Sequence, residues 1–163
     1  MPMLDAYIPA GALSPVAERE LMSQLTDLLL RHEGADPSDP RARAIAWVFL
    51  HRPAEVFVAG EHAAEPRYRF IASVPEGQFD DERRAAIVRE VTEAVLRAEN
   101  NSHPNDPNRV WVFTNEIPDG TWGGAGRINR LADIVGYVVG DPDKGRAYAE
   151  RVLGARNGAS VSA

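Results

Sequence analysis

A pattern that recurs at an interval of 66 residues constrains this 163-residue chain more than any other feature. Ile8-Pro9-Ala10-Gly11 returns as Val74-Pro75-Glu76-Gly77, and Leu13 returns as Phe79. Leu21, Leu25, Leu28 and Leu29, spaced as one face of a helix, return as Ile87, Val91, Ala94 and Val95. Thr26-Asp27 becomes Thr92-Glu93 within the same stretch. Trp47-Val48-Phe49 reappears as Trp111-Val112-Phe113, at an interval of 64, so one intervening loop differs by two residues. A helical face kept position by position between matching turns and strands reads as an internal duplication.

Each copy has the order strand, helix, strand. Leu4, Ala6 and Ile8 alternate with Met3, Asp5 and Tyr7 as on a half-buried strand, which Pro9-Ala10-Gly11 ends. Ser14-Pro15 offers a hydroxyl cap with proline at the first helical position. Asp36-Pro37-Ser38-Asp39-Pro40 breaks the helix, and Ala46 to Leu50 is a second strand, apolar on both sides. Val56-Phe57-Val58 reads as a short further strand before a polar linker from Glu61 to Pro66. In the second copy the strands are Tyr68–Val74 and Val110–Phe113, with Asp80 or Asp81 capping the helix between them.

Strand-helix-strand units of this length suit right-handed parallel crossovers. Two of them predict an α/β fold: a four-stranded sheet with two helices on one face. Trp47, Phe49, Trp111 and Phe113 leave little of the other face polar, so another subunit is expected to cover it. Beyond the repeats, Gly120 to Gly126 predicts a hairpin. Ile128, Leu131, Ala132 and Val135 predict one short helix, and Asp141-Pro142 starts a second that carries Tyr148, Ala149, Val152 and Leu153. The chain reads as one domain, 1–157, made of repeats 2–60 and 67–127 with a helical extension 128–157. From Gly154 onward the residues read as a frayed end, with a flexible tail over 158–163.

Composition removes several classes of function. A net charge of −6 gives no electrostatic footprint for nucleic acid. No apolar run approaches the ~20 residues of a membrane span, and no secretory signal is recognisable. Without cysteine there is no disulfide framework, thiol nucleophile or thiolate metal site. No His, Asp and Glu grouping has metal-ligand spacing, and Gly123-Gly124-Ala125-Gly126 lacks the strand-to-helix context of a nucleotide fingerprint. The default expectation is a cytoplasmic protein with no cofactor, no metal, no nucleic acid and no membrane contact.

The residue that stands out chemically is Pro2. A small second residue generally permits removal of Met1, which would leave a secondary amine on the first strand. In a dry pocket that amine can act as a base, because apolar or cationic neighbours lower its pKa. A base near neutral pH can take a proton from one atom and return it to another, which is all that keto-enol tautomerisation requires.

A proline behind Met1, a duplicated strand-helix-strand unit and a glycine-rich turn after the last strand together resemble the tautomerase superfamily, whose members use an amino-terminal proline. The second half is similar to a single 4-oxalocrotonate tautomerase subunit, through Val74-Pro75-Glu76-Gly77, Ile87 to Val95, and Glu116 to Gly124. The fused layout, roughly 2–140, resembles the cis-3-chloroacrylic acid dehalogenase group, where Arg52 to Gly60 has a counterpart. The resemblance implies a homotrimer and a catalytic Pro2.

The charged partners depart from the family pattern. Its usual arginine after the first strand would fall at Ala12, with Gln78 as the repeat equivalent, and another would fall near Trp111. The dehalogenase group's glutamate would fall at Gly124, its helix histidine at Leu29, its tyrosine at Phe113 and its arginine pair near Pro75 and Gln78. These departures argue against dehalogenation or hydration by that group's arrangement. Replacement cations for a carboxylate substrate are Arg109, Arg127 and Arg69, with Arg52 near a strand end. Arg109, two residues before Trp111, shares its side on an extended strand. Trp122 stands where the related tautomerase keeps an aromatic wall, and His51 and Tyr7 can donate hydrogen bonds. The expected function is a Pro2-dependent tautomerase of a small 2-oxo or enol acid. The alternatives are a hydratase, dehalogenase or decarboxylase of a three-carbon acid with Pro2 as acid, and a non-catalytic oligomeric protein on the same scaffold.

Overall fold

A computed structural model describes residues 2–160, with side chains described to residue 155. Met1, whose removal the sequence suggests, and the last three residues of the expected tail lie outside the described residues.

The first unit consists of β1 (Met3–Tyr7), α1 (Pro15–His32), α2 (Pro40–Ala44) and β2 (Trp47–His51), followed by β3 (Phe57–Val58) and β4 (Glu61–His62). The second consists of β5 (Tyr68–Pro75), α3 (Asp81–Ala98), a 3-10 turn (Pro107–Arg109), β6 (Val110–Ile117), β7 (Gly123–Gly124) and β8 (Arg127–Ile128). The extension forms α4 (Leu131–Val139) and α5 (Pro142–Ser160). Both long helices start where the sequence caps them: the Ser14 hydroxyl accepts from Ala17 N–H and the Asp80 carboxylate from Arg83 N–H.

The four long strands form one sheet in the order β2-β1-β5-β6. β1 runs parallel to β2 and β5 parallel to β6, while β1 and β5 meet antiparallel. The two crossovers therefore lie side by side about an antiparallel centre. Leu4, Ala6, Phe70 and Ala72 point to one face, where they are fully or almost fully buried against Leu21, Leu25, Ile87 and Val91 of the helices. Burying the larger of these side chains, Leu4, Phe70 and the four from the helices, contributes about 1.5–3 kcal/mol each.

Among the described residues, no helix layer covers the other face. Its cross-strand rows are Trp47-Met3-Ser73-Asn115, Phe49-Asp5-Ile71-Phe113 and His51-Tyr7-Arg69-Trp111. Trp47 and Trp111, related by the repeat, are 62% and 65% exposed.

The repeat runs further than its helical faces. Gly11 and Gly77, which end equivalent strands, both have positive φ, at 76° and 88°. Each unit also ends in a hairpin, at the same interval of 66. Ala59-Gly60 and Ala125-Gly126 form the two turns, all four with positive φ, as a two-residue connection matched to strand twist requires. The expected polar linker therefore begins as a strand, because Glu61 and His62 pair back on Val58 and Phe57. The Asp36–Pro40 breaker has a second role: Asp39 caps α2, with Pro40 at its first turn. Helix α5 continues through Gly154 to Ser160, past the point expected to fray. No proline follows Pro142 to remove a donor from the helical ladder.

Helices α4 and α5 pack closely through glycine. A Cβ on Gly145 would lie 2.3 Å from the Ala132 carbonyl oxygen, and one on Gly136 would lie 3.2 Å from Pro142 Cα. Among the described residues, no helix is long and apolar enough to cross a membrane.

Candidate active site

The Pro2 end of the sheet is the start of β1 and β2 and the finish of β5 and β6. Pro2 is buried there, and its carbonyl accepts the Trp47 N–H at 3.1 Å, which continues the β1–β2 pairing. Around it lies a cavity of about 630 Å³, lined mainly by apolar groups: Met3, Ile45, Trp47, Phe49, Ile117, Trp122 and Ile134. Arg127, Asn129, Asp133, Thr121 and Tyr137 bring the polar atoms.

The β7–β8 hairpin forms one wall and is pinned in place. Asn129 N–H donates to Trp122 O at 2.8 Å, and its side-chain amide donates to Gly124 O at 3.2 Å. Arg127, on β8, donates through Nε to Asn129 Oδ1 at 3.3 Å and is otherwise exposed at the cavity. A further part of the wall comes from α4, through Asp133, Ile134 and Tyr137. Asp119 holds the start of that helix: one carboxylate oxygen accepts Leu131 N–H and the other accepts Arg130 Nη1, each at 2.8 Å.

Three of the residues expected from sequence, Pro2, Trp122 and Arg127, therefore meet in one cavity, and Arg109, Arg69, Arg52, His51 and Tyr7 do not. Arg109 is buried at 2% exposure and grips Glu99 with both terminal nitrogens, through Nη1 to Oε1 at 2.6 Å and Nη2 to Oε2. It also donates to Pro104 O. The extended-strand parity between Arg109 and Trp111 fails because β6 starts only at Val110. Asp106-Pro107 makes a 3-10 turn that carries Arg109 inward instead. Arg69 lies on the uncovered sheet face, its guanidinium 4.1 Å above the Tyr7 ring. Tyr7 is five residues along β1 from Pro2, about 16 Å at ~3.3 Å per residue. His51 and Tyr7 stack on each other at that far end, with His51 Nε2 2.6 Å from Asp5 Oδ1. Arg52 binds Glu18 through two nitrogens, at 2.6 Å each.

The positions where the family's arginines would stand are filled otherwise. Ala12 is buried, and Gln78 is buried beneath α5, accepting the Tyr148 hydroxyl at 3.2 Å. Val152 of the same helix closes over Gly77.

Glu99 and Glu33 show how the two units differ electrostatically. Burial works to raise the Glu99 carboxyl, but hydrogen bonds from Arg109 and Tyr68 outweigh it and hold Glu99 below the usual carboxylate range. Glu33, the residue that closes α1, is raised above that range by burial, with the positive amino terminus acting against the rise. Glu33 was not singled out in the sequence, and the helix expected around Leu131 became α4 without its place at the cavity being foreseen. The 66-residue interval was the signal available for Glu33. For the position of α4 against the cavity there was none, since it lies beyond both repeats.

Residues 72–130 match the tautomerase enzyme family. No curated protein matches the chain in sequence. Among solved structures, the Q0 fused 4-OT, a symmetric trimer, is 25% identical and superposes with a TM-score of 0.62 over 78% of this chain and 94% of its own. N1, of the cis-3-chloroacrylic acid dehalogenase family, gives 19% identity and a TM-score of 0.64 over 90% and 89%. Pt0534, solved after inactivation by 2-oxo-3-pentynoate, gives 22% and 0.63 over 78% and 94%. The second unit thus matches the tautomerase enzyme family, and the chain as a whole shares the two-unit fold of the fused 4-OT.

Proposed function

We propose that the protein is a cofactor-independent tautomerase in which the Pro2 amine, freed by loss of Met1, is the general base for a 2-oxo or enol carboxylic acid. The observation that carries this reading is the meeting of Pro2, Trp122 and Arg127 in one largely apolar cavity. Desolvation there disfavours a protonated amine and brings its pKa toward neutrality. The amine takes the enol hydroxyl proton and delivers a proton to the neighbouring carbon, so that no group outside the substrate is consumed. Arg127 binds the carboxylate, while Trp122 and the α4 wall take the apolar body of the substrate.

We place the protein in the cytoplasm as a homotrimer formed over the uncovered sheet face. The fused 4-OT with the same fold is a trimer. We also treat the chain as one domain, with repeats over 2–60 and 67–127 and an extension over 128–157.

Ketonisation of phenylenolpyruvate, followed by ultraviolet absorbance, tests the reading. Pro2→Ala is expected to lose about 100-fold or more in kcat/KM, the low end of what a positioned acid–base group supplies. Equal rates for the two proteins would favour a non-catalytic scaffold.

A further inference from the structure

Glu33 and Glu99 stand 66 residues apart, at equivalent places in the two units. Each closes the long helix of its unit: Glu33 N–H donates to Leu29 O at 3.0 Å and Glu99 N–H to Val95 O at 3.1 Å. A residue of positive φ follows each, Gly34 and Asn100. Their partners correspond as well. Tyr68 is the repeat counterpart of Pro2, and its hydroxyl donates to Glu99 Oε1 at 2.7 Å. Arg109, in the turn before β6, supplies the cation in the second unit. At the 64-residue interval its counterpart is Ile45, in the turn before β2, and Ile45 lines the Pro2 cavity.

We propose that Glu33 is a positioning residue that sets the protonation of the Pro2 amine, standing toward Pro2 as Glu99 stands toward Tyr68. This rests on the Pro2 amine reading given above. Because α1 runs back along β1, its C-terminal end lies at the Pro2 end of the sheet, where β2 begins beside Pro2. An apolar cavity alone would push the amine's pKa down. A neighbouring carboxyl opposes that shift, so that amine and carboxyl hold one proton between them near working pH.

Other charged groups near this end face elsewhere or are exposed. Arg127 and Asp133 line the cavity at exposed positions, where solvent screens them, and Tyr137 is beside them. Of the α2 arginines, Arg43 pairs with Asp27 and Arg41 reaches the end of α4 at Gly140. On α1, His32 meets Glu90 and Arg31 is exposed. Asp5, on the outer sheet face, meets His51.

The test is a titration of the Pro2 amine by NMR in full-length protein labelled with nitrogen-15 proline, once intact mass has confirmed loss of Met1. Glu33→Gln is expected to lower the amine's midpoint by about one pH unit or more, roughly tenfold in proton affinity. Glu33→Asp, which keeps the charge, is expected to stay near wild type. An unchanged midpoint in Glu33→Gln overturns the proposal. If that variant fails to fold, wild type alone decides: two linked titration steps support the pair, and a single ordinary step overturns it. A titrating amine whose Pro2→Ala variant still turns over enol overturns the tautomerase reading only. Retention of Met1 overturns both.

Discussion

Arg109 and Arg127 show how one residue type serves two ends of the same sheet. Arg109 is paired with Glu99 inside the protein and has no surface to offer a substrate. Its removal strands a buried carboxylate, so Arg109→Leu is expected to cost about 3–5 kcal/mol in chemical denaturation. Ketonisation per folded molecule should be unchanged. The pH dependence of stability should change with it. In wild type the depressed Glu99 pKa contributes stability that is fully present above the unfolded carboxylate pKa of about 4.3 and is lost as pH falls through the folded value. In Arg109→Leu burial prevails, the Glu99 pKa rises, and relative stability should increase as pH falls toward 4. Arg127 is exposed at the cavity and, among the described residues, pairs with no carboxylate. Arg127→Gln should raise KM for carboxylate substrates about tenfold or more, the worth of a charged hydrogen bond, with kcat little changed.

At the scale of elements, the α4 wall depends on how closely α4 and α5 approach. Backbone atoms of α4 lie within 3 Å of where a Gly145 Cβ would be, and backbone cannot yield as a flexible side chain does. Gly145→Ala is therefore expected to cost about 1–3 kcal/mol and to raise KM for bulky substrates as Ile134 and Tyr137 shift. Thermal melts and steady-state kinetics on the one variant check both. Much of the architecture was legible in the sequence because helix and strand periodicities repeat in both units. The buried faces are Leu21 to Leu29 and Ile87 to Val95, as the spacing implied. Arg109 was misread because a three-residue turn before β6 breaks the alternation from which its side was inferred. The equivalence of the two hairpins was hidden because Phe57-Val58 and Gly123-Gly124 share no side-chain pattern; only their turns match. Pro2 and Trp122 were legible through family resemblance, whereas the contribution of α4 depends on packing that no local pattern encodes.

For the whole molecule, an apolar sheet face carrying Trp47, Phe49, Trp111 and Phe113 would be a liability for a free monomer. The proposed trimer buries it. Trp111→Glu combined with Phe113→Lys, neither of which lines the Pro2 cavity, should convert the trimer to monomer in size-exclusion chromatography with light scattering. A trimer surviving both changes would mean that another surface holds the subunits together. In the proposed function the Pro2 amine does the chemistry, and 2-oxo-3-pentynoate tests this directly. A secondary amine adds to the alkyne carbon conjugated with the ketone, forming a carbon–nitrogen bond while its proton passes to the adjacent carbon. Intact-mass and peptide mapping should show one adduct per chain, on Pro2, with ketonisation lost in step. Full labelling at another residue, or retained activity after labelling of Pro2, would mean that Pro2 is not the base.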